Sequence, residues 1–354
     1  METLLLRADD LSALLESVGR DAFMDHMIEA LRTRFRDFDA DLQEVRARDG
    51  FRYDKPAHGL IEWMPTHEVS GPIVVKMVGY HPTNPLQRTL PSVLATTSMW
   101  DSETGHLVAI ADATLLTALR TGAASAIATD LLAIDRAVTV GIVGLGAQAV
   151  TQLHAISRVR PIDRVIGIDI DPTAADSFAD RVAFLDVPIE IRPPDATATI
   201  AGEVDVLCTC TSAELGAPPV VGAIEVRPWL HINAVGADFP GKIELPVALT
   251  SGALVVPDTL EQCIVEGECQ QVAAADIGPE LEAVVSHPEQ YLRHRLERTV
   301  FDSTGWAVED DVALRLAVEL ARERDLGQLV ELERIPADPL DPYGSTAGRS
   351  DTAS

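Results

Sequence analysis

The chain reads as an α/β protein of two unlike halves, and three features of its patterning carry that reading. From about residue 137 to 257, continuous apolar runs (VTVGIVG, RVIGID, VDVLCTCT, HINAVG, ALVVP) alternate with helix-length segments. Strands buried on both faces look like this, and the alternation describes βαβ units in a parallel sheet. From about 50 to 108 the apolar pieces are short and parted by Pro and Gly, the texture of an antiparallel sheet. Helical periods flank that stretch, so the first half is α+β.

The elements follow in order. Asp9 or Asp10 can cap a first helix with Leu11, Leu14, Leu15 and Val18 on one face, and Gly19 can stop it. Phe23, Met27, Ile28 and Leu31 continue at helical spacing. Strand-like pieces lie at 60–64, 73–78 and 92–98. Asp112 is placed to cap the helix DATLLTALRTGAASAIATDLLA, whose Gly122, Ala123, Ala124 and Ala126 predict close packing against another backbone. After the alternating region, 290–325 reads as helical around FDSTGWAVEDDVALRLAVELA. Beyond Pro336 the chain is rich in Pro, Asp, Gly and Ser and reads as a frayed tail.

Composition removes several classes of function. At 354 residues the chain holds two or three domains, and 47% hydrophobic against 23% charged residues excludes global disorder. Lys and Arg total 28 against 55 Asp and Glu, a net charge of −27. A surface that acidic repels phosphate backbones and anionic lipid, which argues against nucleic-acid and membrane partners. No apolar run approaches the roughly 20 residues that span a bilayer, and METLLLRADD has no secretory pattern. Four cysteines are too few for a disulfide scaffold, and no CxxC or HExxH occurs. The expectation is a cytoplasmic protein without a metal.

The strongest chemical signal is VTVGIVGLGAQA followed by RVIGIDID. Gly144, Gly146 and Ala149 fit G-x-G-x-x-G/A between an apolar strand and a helix. The first Gly allows the tight turn, the second lets backbone approach a pyrophosphate, and the third position must be small for helix–strand packing. Asp169 ends the next strand 20 residues after Ala149, where a carboxylate holds ribose hydroxyls and repels a 2′-phosphate, favouring NAD. The bland alternative is a strand–turn–helix that binds nothing.

Other charged residues are ambiguous one at a time. Arg52, Glu62, Lys76 and Arg120 sit in the first half, with Lys76 flanked by Ile73, Val74, Val75, Met77 and Val78. A buried ammonium needs a partner or a job. Each alone is read as a structural ion pair, and Glu62 equally as a solvated strand face. Asp238 follows a Gly-containing turn at the carboxyl end of a strand, where open α/β sheets bind ligands, and alone it is also a turn or cap residue. His231 is read as packing. Glu266, Glu268, Asp302, Glu309 and Asp310 are read as caps and solvated faces.

Together, IEWMP, VVKMVGYHPTNP, TALRTGAASA, GLGAQA, NAVGADFPGK, EGECQQ and FDSTGWAVED resemble the ornithine cyclodeaminase/μ-crystallin family. The resemblance implies an α+β substrate-binding and dimerisation domain over 1–130 completed by 315–335, a Rossmann NAD-binding domain over 131–314, and a flexible tail over 336–354. It implies that Arg52, Lys76 and Arg120 bind the substrate carboxylate, that Glu62 lies near the reacting amine, and that Asp238 is its acid/base partner, Lys76 and Glu62 counting with it as catalytic. Gly144, Gly146, Ala147, Gln148, Asp169, Thr121, Thr211, Val235 and Gly236 would hold the NAD, in a homodimer. EGECQQ, GRDAFMDHMIEAL and DPLDPYG are most similar to the lysine cyclodeaminases that make pipecolate for secondary metabolism. Ornithine enzymes usually have Cys after the catalytic Asp, where this chain has Phe239, so the ornithine-to-proline reaction stays open. A net amino-acid dehydrogenase or ketimine reductase and a non-catalytic binder of the crystallin kind are the further rivals.

Overall fold

The computed structural model describes residues 1–345. Strands β1 (Thr3–Leu6), β2 (Gln43–Val45), β3 (Asp49–Tyr53), β4 (Gly59–Glu68), β5 (Ile73–Tyr80), β6 (Val93–Trp100) and β7 (Leu107–Asp112) build one sheet. A second sheet contains β8 (Val138–Val143), β9 (Ile162–Ile168), β10 (Ile189–Arg192), β11 (Val206–Thr209), β12 (His231–Ala234), β13 (Leu254–Pro257) and β14 (Thr299–Asp302). The chain then returns to the first sheet as β15 (Gln328–Val330), giving the order β15-β1-β7-β6-β5-β4-β2 with β3 beside β4. Only β1 and β7 run parallel in it. The second sheet is parallel throughout, in the order β10-β9-β8-β11-β12-β14-β13. This is the doubly wound Rossmann arrangement, and the order reverses between β8 and β11.

Alternation along the first sheet decides what faces inward. Leu60, Glu62, Met64 and Thr66 share the buried face of β4, and Val74 and Lys76 that of β5. Against this face pack the helices Arg20–Arg36, Thr114–Leu132 and Ala307–Glu323, in a core that includes Phe35, Ile127, Leu132 and Leu314. Helix Thr114–Leu132 also lies against helix Ala147–Val159 of the parallel half. A Cβ on Gly122 would stand 2.5 Å from the Thr151 carbonyl oxygen, so the small residues serve the close approach expected of them.

The structure corrects several local readings. The 290–325 segment contains β14, and its helix starts only at Ala307. TVFD is a short, fully buried segment around Val300 and Phe301 that neighbouring β12 and β13 recruit by ladder hydrogen bonds, overriding the helical texture downstream. Asp112 lies one residue before the cap position, which Ala113 holds without a side-chain bond, and accepts from Thr114 N at 3.3 Å. The first helix begins at Ala8, with Asp10 reaching back to Arg7 N at 2.9 Å, and ends at Gly19 (φ 89°). Short strands such as β1 and the edge strand β15 gave no usable signal. Of the segment read as a tail, 336–345 forms turns, with Ala337 N donating to Ser345 O at 2.8 Å; residues 346–354 lie outside the described residues. Among the described residues no helix is long and apolar enough to cross a membrane.

Candidate active site

The site lies along the carboxyl edge of the parallel sheet. At its centre, Gly144 follows β8 with φ 89°, and a Cβ there would meet Cys210 O at 2.7 Å. Only glycine lets β8 and β11 close at the switch point. Gly146 caps helix Ala147–Val159 without any side-chain hydrogen bond, and a Cβ on it would meet nothing within 4 Å. The helix therefore presents free N–H groups to an open space, the requirement for a pyrophosphate. Asp169 Oδ2 accepts from Leu145 N at 2.5 Å and Oδ1 from Asp171 N at 2.8 Å. These bonds hold the carboxylate beside the loop, as a ribose ligand needs. These residues fit a bound dinucleotide.

The other residues expected around a cofactor divide into two groups. Thr211 donates through N and Oγ1 to Glu244 Oε1 at 2.7 and 2.6 Å, and Gly236 N donates to Glu244 Oε2 at 2.8 Å. Glu244, fully buried and not foreseen, thus ties together the loops after β11 and β12. Val235 continues the β12 edge, its N–H on Thr209 O. Thr121 lies on helix Thr114–Leu132, its hydroxyl on Thr117 O at 2.8 Å. Gln148 Nε2 donates to Ala118 O at 3.3 Å of the same helix, tying the exposed turn at Ala147 to it. Arg181, also unforeseen, donates to Leu145 O at 2.6 Å and braces the loop.

Between this edge and the first sheet lies a small cleft of about 80 Å³. Glu62 (β4), Lys76 (β5), Arg120 (helix Thr114–Leu132) and Asp238 (after β12) all line it, together with Tyr80, Phe239 and Arg48. The sequence reading missed Arg48. Arg52 is not a wall of the cleft: its guanidinium stacks on the Phe239 ring at 3.9 Å to the centroid. Arg48 takes the interior place because its Nη2 is drawn to the carbonyls of Thr304 and Gly305 at 2.6 and 2.8 Å.

Two cations at one end of the cleft are held by carboxylates of the first turn of helix Ala307–Glu323. Lys76 Nζ donates to both oxygens of Asp310 at 2.8 and 2.9 Å. Arg120 reaches Asp310 at 3.2 Å and Glu309 at 2.6 Å. Burial lowers the Lys76 ammonium to about 8 although Asp310 opposes it. For Arg120, burial is outweighed by Asp310 and Glu309, which keep it charged. Asp310 is likewise held below the usual carboxylate range, Arg120 and Lys76 outweighing burial. Glu309 is pushed up to about 8 by burial.

The other end is acidic. Burial raises Glu62 and lifts Glu266 to about 7. Asp238 pairs with Lys242, Nζ to Oδ1 at 3.0 Å, and Lys242 is itself buried and lies over the Tyr80 ring. The reading of Glu266, Glu268, Asp302, Glu309 and Asp310 as caps and solvated faces is overturned, since all five are buried. Asp302 accepts from Glu268 N and Cys269 N at 2.9 and 2.8 Å, and Glu268 from Glu244 N at 2.7 Å. Burial lifts them to about 7 and about 8. Glu62 also faces the interior, against the solvated alternative. His231, taken as packing, is buried on Thr299 and Asn233 and pushed down to about 3, so it stays neutral.

The arrangement suits a small zwitterion with an additional amine: cations meet a carboxylate, acids meet ammonium groups, and the dinucleotide edge adjoins both. Relatives agree. An L-lysine cyclodeaminase of Streptomyces rapamycinicus is 42% identical over 345 residues, covering 97% of this chain and 99% of that protein. A solved lysine cyclodeaminase, described for recognition of L-lysine, L-ornithine and L-2,4-diaminobutyric acid, superposes with a TM-score of 0.93 at 45% identity, over 97% of this chain and 99% of that one. An archaeal alanine dehydrogenase dimer with bound NAD superposes at 0.79 with 31% identity, over 94% of this chain and all of the other. The family model "Ornithine cyclodeaminase/mu-crystallin family" matches residues 9–325. With the parallel sheet, the cleft and all of the first sheet except β1 and β15 inside that span, the chain belongs to the ornithine cyclodeaminase/mu-crystallin family.

Proposed function

We propose that this protein is a lysine cyclodeaminase, an ammonia-lyase that converts L-lysine to L-pipecolate and ammonia using NAD without net consumption. The observation that carries this is the two-ended cleft, with Lys76 and Arg120 at one end and Glu62 and Asp238 at the other, on the carboxyl edge that bears the glycine loop. When bound, NAD supplies the hydride acceptor and donor for the substrate Cα. The chain supplies the rest. Lys76 and Arg120, fixed by Asp310, orient the substrate carboxylate, with Arg48 as the third cation of the wall. Asp238, held by Lys242, accepts and returns the proton of the reacting amine and stabilises its positive charge. Glu62 faces the same amine. Gly144, Gly146, Ala147 and Asp169 hold the dinucleotide, with Thr211, Val235 and Gly236 at its nicotinamide end and Thr121 and Gln148 on the neighbouring helices.

The first sheet is assigned to substrate binding and dimerisation. Its outer face carries Phe51, Ile61, Met77 and Leu94, 40–69% exposed and neighbours by register, an apolar patch suited to a second copy of the chain. The cysteines are free, in keeping with a cytoplasmic enzyme. L-Ornithine, giving L-proline, is the second reading, because one methylene in an apolar pocket is worth only about 1–3 kcal/mol and the solved relative recognises both amino acids. Incubation with catalytic NAD+ and either amino acid tests this. Pipecolate and ammonia with no lasting NADH are expected from lysine. Net accumulation of NADH would make the protein a dehydrogenase, and binding without turnover would make it a binder.

A further inference from the structure

The order of the parallel sheet fixes where each half of a bound dinucleotide would lie. The glycine turn follows β8 and Asp169 follows β9, so the pyrophosphate and one ribose belong to the β8–β9 side of the switch point. The rest of the molecule extends the other way, over the loops after β11 and β12, where Asp238 and the cleft begin. Those two loops are fastened by one side chain. Thr211 follows β11 and Gly236 follows β12, and Glu244 receives both, Thr211 N and Oγ1 on Oε1 and Gly236 N on Oε2. A Cβ on Gly236 would collide with this carboxylate, so glycine is what admits it. The main chain of Glu244 is committed too, its N–H to Glu268 Oε1 at 2.7 Å and its carbonyl to Val220 N at 2.8 Å. Glu268 N in turn donates to Asp302, at the end of β14, at 2.9 Å. Glu244 is fully buried and stands behind the cleft wall rather than in it.

We propose that Glu244 is a positioning residue for the cofactor: by clamping Thr211 and Gly236 to each other it presets the main chain that meets the nicotinamide end of NAD. This rests on the reading of the glycine edge as a dinucleotide site. A carboxylate is the group suited to the task. Its two oxygens accept three bonds at once from donors on separate loops, whereas an amide of the same shape offers one accepting oxygen and turns an NH2 group against the remaining donors. Without the clamp the loops after β11 and β12 become ordered only when cofactor binds, and that ordering weakens binding at the nicotinamide end alone. The other end is fixed by bonds of its own, from Leu145 N and Asp171 N to Asp169, and does not depend on Glu244.

The test compares NAD+ with ADP-ribose, which keeps the adenosine and pyrophosphate and lacks the nicotinamide, by calorimetry on the full chain. Glu244→Gln is expected to weaken NAD+ about 10-fold, the cost of ordering roughly one main-chain residue on binding, and to leave ADP-ribose within about twofold. A role confined to holding the fold together would weaken both nucleotides alike. An affinity ratio unchanged from wild type, whether both nucleotides weaken or neither does, overturns the inference. Should the amide variant fail to fold, Gly236→Ala carries the same comparison with the same expected split, because its Cβ meets the far end of the Glu244 side chain and displaces the carboxylate. The dinucleotide reading itself is judged on the wild type: binding of neither nucleotide refutes that reading, whereas a wild type that binds both, with an unchanged ratio in the variant, refutes only the role of Glu244.

Discussion

The dinucleotide edge and the amino-acid cleft touch one another and are built in opposite ways. The phosphate and ribose part of the first is assembled from one contiguous stretch, β8, the glycine turn, a helix and β9, and its acid Asp169 is satisfied by N–H groups of that same stretch. The second gathers Arg48, Glu62, Lys76, Arg120 and Asp238 from separate elements, with Glu309 and Asp310 holding its cations, and its main ion pair joins residues 234 positions apart. A phosphate needs only main-chain donors and a helix end, so spacing of small residues suffices. A buried cleft that recognises an amino acid needs fixed charges, and each must be compensated from elsewhere in the fold.

That contrast can be broken by substitution. The largest effect is expected from Asp238→Asn, which removes the proton carrier and should lower kcat by about 10²–10⁴ while NAD affinity holds, read by ammonia release and NAD titration. Near-normal turnover would remove Asp238 from the mechanism. Next, Asp310→Asn leaves Lys76 and Arg120 without their shared carboxylate and should cost about 3–5 kcal/mol in urea unfolding. A loss no greater than that of a surface ion pair would mean the cleft is less dependent on distant compensation than its burial indicates. Gly144→Ala tests the contiguous region, where strain at positive φ and the approach to Cys210 O should cost about 1–3 kcal/mol and weaken NAD more than lysine. Equal weakening of both would erase the distinction between the two regions.

The smallest effect is a pH dependence. Lys76 carries its charge below its lowered value of about 8 and loses it as pH rises through that value. Near that pH about half of the molecules have lost the charge, so KM for the amino acid should roughly double there and keep rising. In Lys76→Arg, whose guanidinium stays charged, that limb should vanish, which separates it from the titration of Glu266 and Glu309. A pH profile unchanged by the substitution would show that Lys76 does not hold the carboxylate.

Legibility followed the same division. Gly144, Gly146, Ala149 and Asp169 could be read from spacing because turn, helix start and strand end lie within one short stretch. Lys76 and Arg120 could be suspected from their apolar surroundings, but without tertiary contacts a structural ion pair explained each equally well. They are ion-paired and line the cleft as well, so the two readings were never exclusive. Arg48, Lys242 and Glu244 carried no signal, and Glu309 and Asp310 looked like ordinary acids of a helix's first turn. A chain pattern records periodicity, and it does not record which distant surface will cover a charge.

The amino-acid order alone therefore determined the parallel sheet, the glycine turn and its acid, because those depend on local backbone geometry and on alternation between neighbours in the chain. Only tertiary structure decided that β14 interrupts a helical-looking segment, that Arg48 lies inside the cleft while Arg52 stacks on Phe239, and that five apparently solvated acids are buried. The physical reason is desolvation: whether a charged side chain is stable inside depends on partners that folding brings from far along the chain, and local spacing cannot count them.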